Sequence, residues 1–235
     1  MFRRKPQNQE IDTAERDTKV QQLRDALGPL TGRSLKFCTD ACLRRYLEAR
    51  NWNLGKAQKM LEESIKWRSE YKPEEIRWHE VAHEGETGKV SKANFHDRKG
   101  RTVLIMRPGK QNTSSPEGNI RHLVYLMENA ILNLPEGQAN VVAHRLQRMV
   151  VKYFVDQKTF QKINFVYPNN KDSLEVMKSF FDSENLPSEF GGKATLKYDH
   201  EEFSRLMAED DVKTAKYWGL DKTVATRVMG TQTQR

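Results

Sequence analysis

Val90-Ser91-Lys92-Ala93-Asn94-Phe95, His96-Asp97-Arg98-Lys99-Gly100 and Thr102-Val103-Leu104-Ile105-Met106 follow one another with only Arg101 between the last two. The first and third segments read as strands and the middle one as a hairpin loop. Val103 to Met106 is apolar without alternation, the mark of a strand buried on both faces. Such a strand needs a layer of structure on each side. The sequence around it is helical in period, so the expected class is mixed α/β behind a helical cap.

Upstream, residues 1–17 are polar and aperiodic and are expected to form a disordered tail. A helix fits Thr18 to Leu27, with Val20, Leu23 and Leu27 on one face, and Gly28-Pro29 ends it. A second helix starts near Asp40 as N-cap and carries Leu43, Tyr46 and Leu47. Asn53 caps a third, in which Leu54, Ala57, Leu61 and Ile65 form a stripe. Trp67 and Trp78 add bulky anchors, so residues 18–82 read as a helical region.

Downstream, Ser115-Pro116-Glu117 opens a helix. Its apolar face is Ile120, Leu123, Val124, Met127, Ile131 and Leu134, and Pro135-Glu136-Gly137 stops it. Val141 to Val155 is read as a helix, with Val142, Leu146, Met149, Val150, Tyr153 and Phe154 opposite His144, Arg145, Arg148 and Lys152. A short strand is expected at Ile163 to Tyr167. Asp172 and Glu175 begin a helix holding Leu174, Met177, Phe180 and Phe181. A last helix fits Asp199 to Met207, and the sequence from Asp221 is polar.

The formal net charge is +8, which points to an acidic partner, either nucleic acid or an anionic membrane. The surplus is focal. Between Ala139 and Lys171 stand Arg145, Arg148, Lys152, Lys158, Lys162 and Lys171 against the single acid Asp156. No nucleic-acid motif or aromatic-basic stacking platform accompanies them. The N-terminus lacks the apolar core of a secretory signal, and no apolar run approaches the ~20 residues of a membrane span. Cys38 and Cys42 are expected to be reduced thiols in a reducing compartment.

His79-Glu80-Val81-Ala82-His83 matches the zinc-protease pattern H-E-x-x-H. Its extended form fails, because Glu86 and Lys89 occupy the glycine and third-histidine positions. The stretch is therefore expected to be a surface turn that binds no metal. Gly-rich phosphate loops and nucleophile elbows do not occur, so an enzyme has no support.

Leu43-Arg44-Arg45-Tyr46-Leu47-Glu48-Ala49-Arg50 and Lys66-Trp67-Arg68, the Asp97-to-Arg101 loop with Val103-Leu104-Ile105, Val151-Lys152-Tyr153-Phe154 through Thr159 and Lys162, and Leu186-Pro187-Ser188-Glu189-Phe190-Gly191-Gly192 occur in this order. Together they resemble the CRAL-TRIO lipid-binding family, in its phosphatidylinositol- and phosphatidylcholine-transfer branch and especially its plant members. The resemblance spans roughly residues 18 to 220. One departure stands out. After Leu134-Pro135-Glu136-Gly137-Gln138 the family continues with a central strand, a helix and a further strand, whereas this chain runs through Ala139 to His144 straight into sequence like the family's gate helix.

The resemblance implies an N-terminal CRAL-TRIO region over residues 18–82, a lipid-binding domain over 83–212 shortened near 138–145 with a depleted sheet, and a C-terminal extension over 213–235. It implies phospholipid binding and transfer without catalysis or cofactor. The ligand would be phosphatidylinositol or phosphatidylcholine, held by a monomeric, cytoplasmic, peripherally membrane-associated protein. Arg50, Thr159 and Lys162 match headgroup contacts, although Asn51 replaces a basic residue found in some members. Arg145, Arg148, Lys152 and Lys158 are expected to face the membrane, and no nucleic acid is expected. The alternative is a truncated form that docks on membranes or proteins without transferring lipid.

Overall fold

Apolar spacing in the first 72 residues closes four helices on one core. The structure, a computed structural model, describes residues 13–100, 102–133, 142–144, 171–195 and 197–220. Contacts divide the chain between Lys72 and Pro73 into two units. The first holds α1 (Thr13–Ala26), α2 (Gly32–Phe37), α3 (Asp40–Ala49) and α4 (Leu54–Tyr71). Val20, Leu23, Cys38, Cys42, Leu43, Leu47, Ala57 and Leu61 form its buried cluster.

Thr39, not Asp40, caps α3: its side chain accepts from the Cys42 N–H, and Asp40 instead meets Arg24 at 2.5 Å. Asn53 caps α4 as expected, accepting from the Lys56 N–H. Helix α1 begins at Thr13, inside the expected disordered tail. Its added turn is polar and is tied by Glu15–Lys19 and Asp17–Arg44 ion pairs, which an apolar stripe does not register. The two cysteines are free and buried, and burial pushes the Cys42 thiol up to about 11.

The second unit contains the hairpin. Strand β1 (Val90–His96) pairs antiparallel with β2 (Thr102–Met106), Val90 opposite Met106, and the register shifts between Lys92 and His96. All five residues of β2 are buried. Strand β3 (Val142–His144) pairs parallel with the other edge of β2, Val103 opposite Val142, giving the order β1-β2-β3. This corrects the helix expected over Val141 to Val155, whose first residues are strand. A central buried strand must satisfy its N–H and C=O groups on both edges, and that demand overrides local helical periodicity. The remainder of that stretch, and the strand expected at Ile163 to Tyr167, lie outside the described residues.

Helix α6 (Pro116–Leu132) is the crossover between the parallel strands β2 and β3. Ser115 caps it by accepting from the Gly118 N–H. It packs on β1, β2 and α5 (Trp78–Gly85), and α8 (His200–Trp218) packs on α5 and α6. On the opposite face of the sheet, Val103 and Ile105 meet Met177 of α7 (Lys171–Phe180) together with Phe181, Leu186 and Phe190. Helix α8 runs eleven residues beyond the expected end at Met207, because Asp210 and Ala215 are also buried and Gly219 at φ 73° supplies its left-handed cap. The expected boundaries at 82 and 212 fall inside α5 and α8.

Helix α5 corrects the surface turn expected at His79 to His83. Glu80 accepts from the Arg77 N–H and fixes the first turn, while Trp78, Val81, Glu84 and Gly85 are buried.

Candidate functional site

Buried charges line the α6 face of the sheet. Lys89 Nζ bonds Glu84, and donates to Asn119 Oδ1 at 2.7 Å and Thr113 Oγ1 at 3.1 Å. Thr113 Oγ1 donates to the same carboxylate at 2.5 Å. Burial alone would raise the Glu84 pKa, but these bonds outweigh it and hold the carboxyl below its ordinary range. Lys92 Nζ, three residues further along in β1, reaches Asn129 Oδ1 at 2.7 Å and Asp210 Oδ2 at 2.5 Å. Asp210 is likewise held low against burial, by Lys213, Lys92 and Asn129. Beside it Asp211 accepts from the Trp78 N–H at 2.7 Å and the Tyr125 hydroxyl at 3.0 Å. Burial dominates there, and the Asp211 pKa is raised.

His122 lies between these groups, 1 % exposed, with no hydrogen-bond partner on Nε2. Burial, helped by the Lys89 charge, depresses it to about 4. Both Glu84 and Asp210 are consumed by two or more donors. The cluster therefore fastens α5, α6 and α8 to the sheet and presents no poised nucleophile or base. Sequence reading passed over it. The available signal was charge at inward positions: Lys92 on the helix-facing side of β1, and Glu84 three residues after Val81 on the apolar side of α5.

His79 and His83 are exposed, and His83 Nδ1 sits 3.2 Å from Glu86. Glu80, the would-be base, meets Arg121 at 2.5 Å. Among the described residues no group of three His, Cys, Asp or Glu side chains is placed to hold a metal ion.

Of the expected headgroup residues, Arg50 is described. It is the C-cap of α3, half-buried, and its Nη1 donates to the Ala49 carbonyl at 3.2 Å. Among the described residues no carboxylate pairs with it, unlike Arg24 and Arg44 on the same unit. Asn51 and Trp52 follow at φ 52° and 58°, a left-handed pair that turns the chain sharply after the arginine. Thr159 and Lys162, with Arg145, Arg148, Lys152 and Lys158, lie outside the described residues.

Leu186 to Gly192 forms a closed turn. Ala194 N–H donates to the Leu186 carbonyl and Ser188 N–H to the Ala194 carbonyl, both at 3.0 Å. Leu186 and Phe190 enter the core, and Glu189 accepts from both Nε and Nη2 of Arg107, at 2.9 and 2.5 Å. A side chain at Gly192 would collide with the Leu186 carbonyl. The motif thus serves packing. A shallow cavity of about 110 Å³ opens between β1 and the start of α8, near Phe95, Lys197, Tyr198 and Leu206. Drug-sized ligands occupy roughly 300–1,000 Å³, so this space is too small for a diacyl lipid.

The chain matches the family description "CRAL/TRIO, N-terminal domain" over residues 19–63, and "CRAL/TRIO domain" over 85–144 and 148–192. Similar curated proteins include a CRAL-TRIO domain-containing protein of Schizosaccharomyces pombe, 24% identical over 74% of this chain and 21% of its own length. Phosphatidylinositol transfer protein PDR17 of Saccharomyces cerevisiae is 34% identical over 46% of this chain and 33% of its own. SEC14 cytosolic factor of Yarrowia lipolytica is 26% identical over 72% and 36%. The chain spans about a fifth to a third of the length of these relatives.

Proposed function

Because this chain belongs to the CRAL/TRIO family, we propose that it is a non-catalytic phospholipid-binding protein of the phosphatidylinositol- and phosphatidylcholine-transfer type. In this reading it is a plant-like member, monomeric and cytoplasmic, that meets membranes peripherally. The described residues contain no helix long and apolar enough to cross a membrane. The observation that carries the reading is Arg50: a half-buried guanidinium at a fixed helix end, with no carboxylate neutralising it among the described residues. Such a group suits a phosphate oxygen by charge-assisted hydrogen bonding. One relative, the phosphatidylinositol transfer protein of Saccharomyces cerevisiae, supports the same lipid class. Thr159 and Lys162 complete the headgroup contacts, while Arg145, Arg148, Lys152 and Lys158 face the bilayer.

The reading includes a shortened centre. The domain match falls in two stretches that meet near residue 146, and the described sheet has three strands. The split of the domain match favours a protein that docks on membranes more readily than it encloses and exchanges lipid.

Mass spectrometry of lipid extracted from the purified protein, with vesicle exchange of labelled phosphatidylinositol, tests the proposal. Phosphatidylinositol or phosphatidylcholine is expected in the extract. Arg50→Ala is expected to lower phosphatidylinositol retention about tenfold or more, since a hydrogen bond to a charged group contributes about 1.5–3 kcal/mol. Lipid-free protein with no affinity for vesicles sinks the reading.

A further inference from the structure

Helix α6 is apolar on two sides. One side belongs to the core: His122, Tyr125, Leu126, Asn129 and Ala130 are buried, and the helix packs on β1, β2, α5 and α8. On the other side Ile120, Met127 and Ile131 are exposed, at 42%, 45% and 42%, with half-buried Val124 among them. All four stand on one unbroken helix, so their spacing fixes the face they share. At about 100° per residue, positions 120, 124, 127 and 131 fall within an arc of about 60°.

The intervals along this stripe are those of the a and d positions in a helix–helix seam. A bilayer or an extended peptide makes no such demand on spacing, whereas a second helix seats its side chains in the holes that this repeat leaves. The intervals also read the same from either end. Under a two-fold axis perpendicular to the helix, Ile120 meets the partner's Ile131 and Val124 meets the partner's Met127. The stripe is therefore complementary to itself, as an isologous contact requires. It contains no charged side chain, so the pairing needs no ionic group to be released from elsewhere. Arg121 is the sole Lys or Arg of α6, and Glu80 holds it at 2.5 Å. That leaves the helix without a cation to draw the stripe towards anionic headgroups. The same two-fold sets Arg121 beside the partner's Glu128, unlike in sign, so the flank does not oppose the contact.

We propose that α6 of one chain pairs antiparallel with α6 of a second copy through Ile120, Val124, Met127 and Ile131. The seam runs about 17 Å at the α-helical rise. One helix pair of that length falls short of the roughly 800 Å² per partner of a standard interface, so the association is weak. In dilute solution the chain stays the monomer of the reading above, and it pairs as its concentration rises. The core side already holds α6 in shape, so the contact orders no new helix.

Sedimentation equilibrium of the full chain from about 1 µM to about 1 mM, the span of weak association, tests the pairing. Lipid is absent from this measurement, so its result is separate from that of lipid binding. The average mass is expected to rise from one chain towards two. Ile120→Lys and Ile131→Glu, both at exposed positions, are each expected to weaken association about tenfold or more, because each sets an unpaired charge in an apolar contact. An equimolar mixture of the two variants is expected to recover it, since the antiparallel register places the new cation against the new anion. Two misfolded chains would not recover, so the mixture also guards against a folding defect. A parent chain of constant single mass overturns the proposal. Association untouched by either variant overturns it too, as does a mixture no stronger than its components. If the parent keeps a single mass and Ile131→Glu instead abolishes its binding to phosphatidylcholine vesicles, the stripe faces a bilayer and the pairing is likewise overturned.

Discussion

His122 gives the second unit a stability that depends on pH. Its folded pKa of about 4 lies below the ordinary 6.5, so between those values the unfolded chain binds the proton and the folded one does not. Stability is whole above about pH 6.5 and falls as the pH drops towards 4, by about 3 kcal/mol at most. Glu84 and Asp210, both held below their usual range, add a further loss only at more acid pH. Denaturant unfolding at pH 7.5 and 5.0 is expected to show a fall that His122→Gln largely removes; an equal fall in the variant shows that another group titrates. A second residue-scale outcome concerns Lys92. Asp210→Ala leaves that ammonium with Asn129 as its remaining partner while its side chain is 18% exposed. The expected destabilisation is about 3 kcal/mol, the usual scale for breaking a buried pair. A midpoint that does not move shows the pair to be solvated.

At the scale of elements, the hairpin and the helix starting at Ser115 were legible because their signals are local. Four apolar residues in a row, a turn between strands, and a serine before a proline need no distant partner. Strand β3 was not legible, because Val142 to His144 is a strand only through the edge of β2, some forty residues earlier. The length of α8 was missed for a related reason: Asp210 is buried by partners on β1 and α6, and an aspartate carries no apolar period. The turn from Leu186 to Gly192 was read as a family signature, and its geometry gives the physical reason. Gly192→Ala sets a methyl against the Leu186 carbonyl and is expected to destabilise the second unit by about 3 kcal/mol or more, as overpacking against backbone does. Gly109→Ala, with open space around it, is expected to be nearly neutral. Equal melting temperatures for the two variants show that the turn relaxes freely.

Across the whole molecule, lipid handling divides into two demands of different difficulty. Docking needs only cations and apolar groups at a surface, and screened charges act within about 10 Å at 0.1 M salt, so a focal basic stretch serves better than dispersed charge. Exchange needs enclosed apolar volume, and closing such a volume needs sheet and helix to cover both chain ends of the lipid. The described sheet ends at the three residues of β3, while the sequence passes within a few residues from Gln138 to the basic stretch that begins at Arg145. Of the site proposed from sequence, Arg50 came from the family resemblance of Leu43 to Arg50, and no local pattern singles it out. In the proposed reading, the pocket that the other contacts would line depends on the central segment that the family resemblance implies after Gln138. Vesicles containing phosphatidylinositol phosphates are therefore expected to bind the protein at low salt and release it as salt rises, with only weak transfer of labelled lipid between populations. Inserting the central strand–helix–strand segment that the family resemblance implies after Gln138 is expected to raise transfer at least tenfold. In that extended chain Lys162→Ala is expected to lower phosphatidylinositol transfer while sparing phosphatidylcholine, because a cation is needed for the inositol phosphate side and not for a zwitterionic headgroup. Robust transfer by the chain as it stands, indifferent to Lys162→Ala, contradicts both the shortened-pocket argument and the headgroup assignment.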